Sequence, residues 1–178
     1  MSKALLLVNL GTPDKPSYFS VYKYLRQFLM DGRVLDINPV LRYFLVNFII
    51  CPTRSYSSAK SYQEVWDDEN GSPLLYNTEK LSEKIQKKLS NYDVYFAMRY
   101  QNPSIKNVLD KILEKNPDYI LVTKRGISSF SDVEAFSKHP SLKLTKAAKA
   151  NKIYAVDGMS MFCLLYTSPS PRDKRQSR

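Results

Sequence analysis

The run Ala4-Leu5-Leu6-Leu7-Val8-Asn9-Leu10, apolar save for Asn9 and broken by Gly11-Thr12-Pro13, constrains the fold of this chain more than any other stretch. A strand with one face in water alternates apolar and polar residues. A run without alternation suits a strand covered on both faces, as in a parallel sheet with helices on each side. Lys3 before the run is placed as in an export signal, but the apolar stretch is too short for one and far too short to span a membrane. The expectation is an α/β fold, a parallel sheet with flanking helices, in a cytoplasmic protein.

The rest of the chain reads as alternating helix and strand. A helix is expected from about Ser17, with Val21, Tyr22, Leu25, Phe28 and Leu29 along its apolar stripe. Asn38 and Pro39 are a helix start signal, and Val40 to Ile50 forms an unusually apolar helix that Pro52 should close. Further helices are expected over Ser57 to Trp66 and Thr78 to Leu89, and after a Ser104 cap. Strands are expected over Tyr92 to Met98 and Tyr119 to Thr123, with Arg99 to Pro103 as a loop. Alternation of this kind implies right-handed crossovers and a ligand site at the carboxyl ends of the strands, near Leu10 and Arg99.

The formal charge of +10 would ordinarily raise nucleic acid or an anionic surface as a partner. Its distribution argues against nucleic acid, because Met1 to Asp118 carries 16 basic against 13 acidic residues and the excess gathers later. Cys51 and Cys163 have no partner spacing, so neither a disulfide framework nor a zinc motif is present. Thr12 beside Gly11 lacks the lysine and glycine spacing of a phosphate loop.

Three stretches together resemble ferrochelatases. They are Leu5 to Pro13; Phe28-Leu29-Met30-Asp31 with Arg33-Val34-Leu35; and the series Tyr62, Trp66, Gly71-Ser72-Pro73-Leu74, Met98-Arg99-Tyr100-Gln101-Asn102-Pro103. The resemblance implies a chelatase-type, Rossmann-like domain and insertion of ferrous iron into protoporphyrin IX or coproporphyrin. It also implies a porphyrin site in which Leu10 lies against the ring, Arg54 and Tyr62 meet the propionates, and Arg99 and Tyr100 form a pocket pair. A guanidinium fork suits a carboxylate, and apolar walls suit the ring. Blander readings stand beside these: Arg54 as a solvated charge, Tyr62 and Tyr100 as core. Val40 to Ile50 is core by default, or, as the resemblance implies, an apolar lip that touches the inner membrane from the cytoplasmic side.

Metallation needs a base for the pyrrole protons and a ligand for iron. The resemblance implies a His-Ser-Leu-Pro motif and a later glutamate. This chain lacks the motif, and its one histidine, His139 in Lys138-His139-Pro140, reads as a solvated residue. No catalytic residue, metal ligand or bound cofactor is therefore assigned, ferrous iron being a substrate of the family, and the chain is expected to be inactive alone. The ferrochelatase-like portion is assigned to residues 1–118. Tyr119 to Met161, within residues 119–162, is similar to periplasmic haem-binding proteins of ABC importers, which leaves haem transport as an alternative function. Cys163 to Asp173 resembles the translation of a transposase sequencing adapter, so residues 163–178 are set apart as a disordered tail of a chimera. An α/β interaction module without a small-molecule site is the third reading.

Overall fold

The computed structural model describes residues 2–123 and 133–156. The strands β1 (Lys3–Gly11), β2 (Asp93–Tyr100), β3 (Tyr119–Thr123) and β4 (Ile153–Val156) form one sheet in the order β2-β1-β3-β4, with every pairing parallel. The expected α/β architecture is present, and the apolar run is its central strand. Ala4, Leu6 and Val8 turn to one face, where they meet Leu109, Ile112, Phe136 and Leu142; Leu5 and Leu7 turn to the other, with Leu81. Burial on both faces is why this strand can have no polar alternation.

The helices are α1 (Tyr18–Leu29), α2 (Pro39–Phe44), α3 (Cys51–Val65), α4 (Pro73–Lys88), α5 (Ile105–Lys115), α6 (Val133–Ser137) and α7 (Lys146–Lys149). Two of them begin at the side-chain caps that the sequence implies. Asn38 accepts from the Val40 and Leu41 amides, and Ser104 from the Asn107 amide.

Pro52 does not close a helix, contrary to expectation. A π-helical turn, Leu45–Ile50, joins α2 to α3 without a break, and the Cys51 amide bonds to the Val46 carbonyl. Proline lacks an N–H and its ring crowds the carbonyl one turn back, so a regular helix breaks there. The wider π turn relaxes that crowding. Thr53 Oγ1 donates to the carbonyls of Ile49, at 2.6 Å, and Ile50, at 3.2 Å, a side-chain contact within the same turn. Helix α3 consequently starts six residues before the expected Ser57. Helix α4 likewise starts at Pro73 rather than Thr78, since proline suits a first helical position.

Two further expectations change. Arg99 and Tyr100 belong to β2, not to the loop after it. The helix over Val40 to Ile50 is not core: Val40 and Phe48 are each 65% exposed, Leu41, Phe44 and Ile49 are exposed too, and only Val46 is fully buried.

The chain crosses the assigned boundary at Asp118 within the sheet. The Asp118 amide donates to the Ser2 carbonyl at 2.8 Å, and the Ser2 amide to Asp118 Oδ2 at 3.0 Å. Phe136, Leu142, Ala147 and Ile153 share the core of Leu6 and Val8. Residues 124–132 and 157–162 of the second assigned segment, and the adapter-like tail 163–178, lie outside the described residues.

Candidate functional site

Two clefts gather the residues singled out above. The larger, of about 1040 Å³, lies where α1 passes the carboxyl end of β2 and is lined by Tyr22, Arg26, Asp31, Arg99, Tyr100 and Gln101, among others. Its size reaches the top of the roughly 300–1,000 Å³ usual for small-molecule sites. The smaller, of about 340 Å³, lies along α3 and is lined by Arg54, Ser57, Ser58, Ser61, Tyr62 and Val65. Arg54 and Tyr62 therefore share one wall, as helical spacing implied, and Arg99 and Tyr100 share the other cleft. Leu10 lines neither. It is 45% exposed at the end of β1, where its amide bonds to Asn9 Oδ1.

The floor of the larger cleft is organised by Asp31, which no expectation placed in the site. Its Oδ2 accepts from Arg99 Nη2 at 2.6 Å and from the Tyr100 hydroxyl at 3.0 Å, while Oδ1 accepts from the Arg33 amide at 2.9 Å. Burial opposes ionisation of this carboxyl, but the Arg33 amide, the Arg99 guanidinium and the Tyr100 hydroxyl outweigh it and hold it below the ordinary carboxylate range. Burial, followed by the bond to Asp31, pushes the Tyr100 hydroxyl up. Next to them Gln101 adopts φ 65° and donates its backbone amide to Gln27 Oε1 at 2.9 Å. Gly11 makes this approach of β1 to β2 feasible, since a Cβ there would collide with the Tyr100 carbonyl.

The smaller cleft differs in its electrostatics. Arg54 is exposed and has no carboxylate within ion-pair reach among the described residues. Ser57 and Ser61 spend their protons on the carbonyls of Arg54 and Ser57. Burial raises the pKa of Tyr62 above the ordinary tyrosine value, and the Tyr24 side chain packed beside it offsets part of that rise. A cation and a hydroxyl on one helix face, with no acid opposite, can hold a carboxylate or another anion. Among the described residues no three His, Cys, Asp or Glu side chains are grouped so as to hold a metal ion. His139 lines neither cleft. Its Nδ1 accepts from the Ser141 amide at 3.3 Å, and burial lowers its pKa.

Asp31 was legible in part, because it closes the quoted stretch Phe28 to Asp31. Gln101 was legible in the same way, inside the quoted stretch Met98 to Pro103, and Tyr22 only as part of the apolar stripe of α1; Tyr24 and Gln27 carried no comparable signal.

The ferrochelatase family model matches residues 2–153. The ferrochelatase of Francisella tularensis subsp. holarctica, strain FTNF002-00 / FTA, is 38% identical over 155 residues, covering 86% of this chain and 43% of the relative. The ferrochelatases of subsp. tularensis strain WY96-3418 and subsp. novicida strain U112 are 45% and 44% identical over 121 residues, covering 67% of this chain and 36% of theirs. The chain thus spans less than half the length of these curated relatives.

Proposed function

The chain belongs to the ferrochelatase family, and on that premise we propose that it holds the porphyrin for insertion of ferrous iron into protoporphyrin IX or coproporphyrin. The observation that carries this reading is the pairing of Arg54 with Tyr62 on one wall, with no acid among the described residues that line it. Two propionates on the edge of an apolar ring are the chemistry such a wall recognises. Leu10 is exposed at the end of the central strand, available to the ring face. Arg99 and Tyr100 are engaged by Asp31 and serve the site as a fixed polar floor. The pyrrole protons and the iron need a base and ligands, and His139 lies on neither cleft. The polypeptide is therefore proposed to bind porphyrin without metallating it. The haem-transport reading of Tyr119 to Met161 has no observation in its favour, and the ferrochelatase match runs on to residue 153.

Titration of the full chain with protoporphyrin IX, followed by fluorescence, tests the wall. Arg54→Gln is expected to weaken binding roughly 10-fold, the scale of a charge-assisted hydrogen bond to a carboxylate. Equal affinity for parent and variant would remove Arg54 from the site, and no binding by the parent would end the reading.

The exposed side chains of α2 and the π turn are proposed to meet the cytoplasmic surface of a membrane. No helix among the described residues is long and apolar enough to cross one. Phe44 and Phe48 stack at 5.9 Å with Tyr43 edge-on to both, a contiguous aromatic patch of the kind that inserts at an interface. The double variant Phe44→Ser/Phe48→Ser should sediment with anionic vesicles several-fold less than the parent. Equal sedimentation would sink the proposal.

A further inference from the structure

Phe19 on α1 is 81% exposed, more than any other large apolar side chain among the described residues. Lys23 and Arg26 follow it by one and two helical turns and are exposed as well, so the three stand on one face of the helix. Helix α1 contains no acidic residue. Lys23 and Arg26 also line the larger cleft, and the acid there, Asp31, is committed to Arg99 and Tyr100. Among the described residues neither cation has a carboxylate within ion-pair reach.

Asn47 ties these cations to the aromatic patch of α2 and the π turn. Arg26 Nε donates to Asn47 Oδ1 at 2.5 Å, and the Tyr22 hydroxyl to the Asn47 carbonyl at 3.4 Å. Asn47 Nδ2 donates in turn to the Tyr43 carbonyl at 2.7 Å, and the Tyr43 ring is edge-on to Phe44 and Phe48. With Nε anchored, the two terminal nitrogens of Arg26 keep their protons for a ligand, a fork that suits two oxygens of a phosphate. Exposed rings gain energy only where water ends, and unpaired cations only where an anion waits. A bilayer with anionic headgroups offers both at once, and aromatic residues beside basic ones are the mark of a surface that lies on it. A soluble anion would leave the rings in water.

We propose that Lys23 and Arg26 form a headgroup site for an anionic phospholipid, taking its phosphodiester oxygens while Phe19, Phe44 and Phe48 enter the interface. The inference rests on the reading of α2 and the π turn as a membrane-contacting surface. It adds the class of lipid and a second element, α1.

Sedimentation of the full chain with vesicles of phosphatidylcholine alone, and of phosphatidylcholine with phosphatidylglycerol, tests it. The parent should bind the mixed vesicles at least roughly 10-fold more tightly, and Lys23→Gln and Arg26→Gln should each remove about 5-fold of that gain. Neither should change binding to phosphatidylcholine alone. Lys111→Gln, a charge-matched change on α5 outside the cleft, should leave the gain intact. An equal loss in Lys111→Gln would mean diffuse attraction to the net charge and would overturn the site. Phe19→Ser should weaken binding to both kinds of vesicle several-fold, and unchanged binding would remove α1 from the surface. Should Arg26→Gln disturb Asn47, Lys23→Gln still decides the point, because Lys23 has no such bond to lose.

A parent that binds phosphatidylcholine through Phe44 and Phe48 yet gains nothing from phosphatidylglycerol overturns this inference and leaves the membrane reading standing. A gain carried by Lys23 and Arg26 that Phe44→Ser/Phe48→Ser leaves untouched does the reverse. Glycerol phosphate bound at Lys23 and Arg26 as tightly as the mixed vesicles would overturn the lipid assignment in favour of a free anion. Self-association of the parent without vesicles, abolished by Phe19→Ser, would overturn it in favour of a second copy of the chain.

Discussion

Gly11→Val should cost this protein about 3–5 kcal/mol, enough to unfold a domain of ordinary stability. Gly11 ends β1 with φ +113°, where a side chain is strained whatever the space, and its Cβ would strike the Tyr100 carbonyl. The obstacle is backbone, paired in register with Gly11 across β1 and β2, so no side chain can rotate aside. Relief requires the strands to part, and that displaces Arg99 and Tyr100 from Asp31. Gly71 is a built-in contrast. Its φ is +74°, but a Cβ there would meet only the Trp66 ring at 3.9 Å. Gly71→Ala should therefore show backbone strain alone, about 1–2 kcal/mol. Urea denaturation of the two variants decides the point, and comparable losses at both positions would refute the steric argument.

Asp31→Ala is expected to cost about 2–4 kcal/mol at neutral pH, because it strips Arg99 and Tyr100 of a shared acceptor in a mostly buried setting. The Arg99 side chain is 14% exposed and Asp31 21%, so solvent screens the pair only in part. The pH dependence carries a definite sign. The folded pKa of Asp31 is depressed, so its contribution is complete above the ordinary carboxylate range and is lost as pH falls through the folded value. The stability gap between parent and variant should then be flat near neutrality and shrink in acid. A gap that held its size into strong acid would show that ionised Asp31 is not what stabilises the cleft.

The relation of these residues to the sequence is uneven. The core of β1, the caps at Asn38 and Ser104, and the strand Tyr119–Thr123 were legible because each depends on neighbours a few positions away. Helical spacing put Arg54 and Tyr62 on one face, since eight residues of a single helix set their relation. The course of the chain through Pro52 was not legible. Proline signals a break, and only the wider π turn makes it a continuation. Nor was the exposure of Phe44 and Phe48, since an apolar helix reads as core until its surroundings are known.

By itself the sequence determined the parallel sheet, the alternation of helix and strand as far as Thr123, and an arginine and a tyrosine on one helix face. Apolar runs, caps and family motifs are local properties that survive reading one letter at a time. The tertiary structure alone decided that Asp31 grips two residues 68 and 69 positions away, that Gly11 admits Tyr100, and that the Tyr24 ring packs edge-on against Tyr62. The reason is physical: these contacts depend on how α1 packs across the carboxyl end of the sheet and against α3, and no period or spacing along the chain encodes that angle.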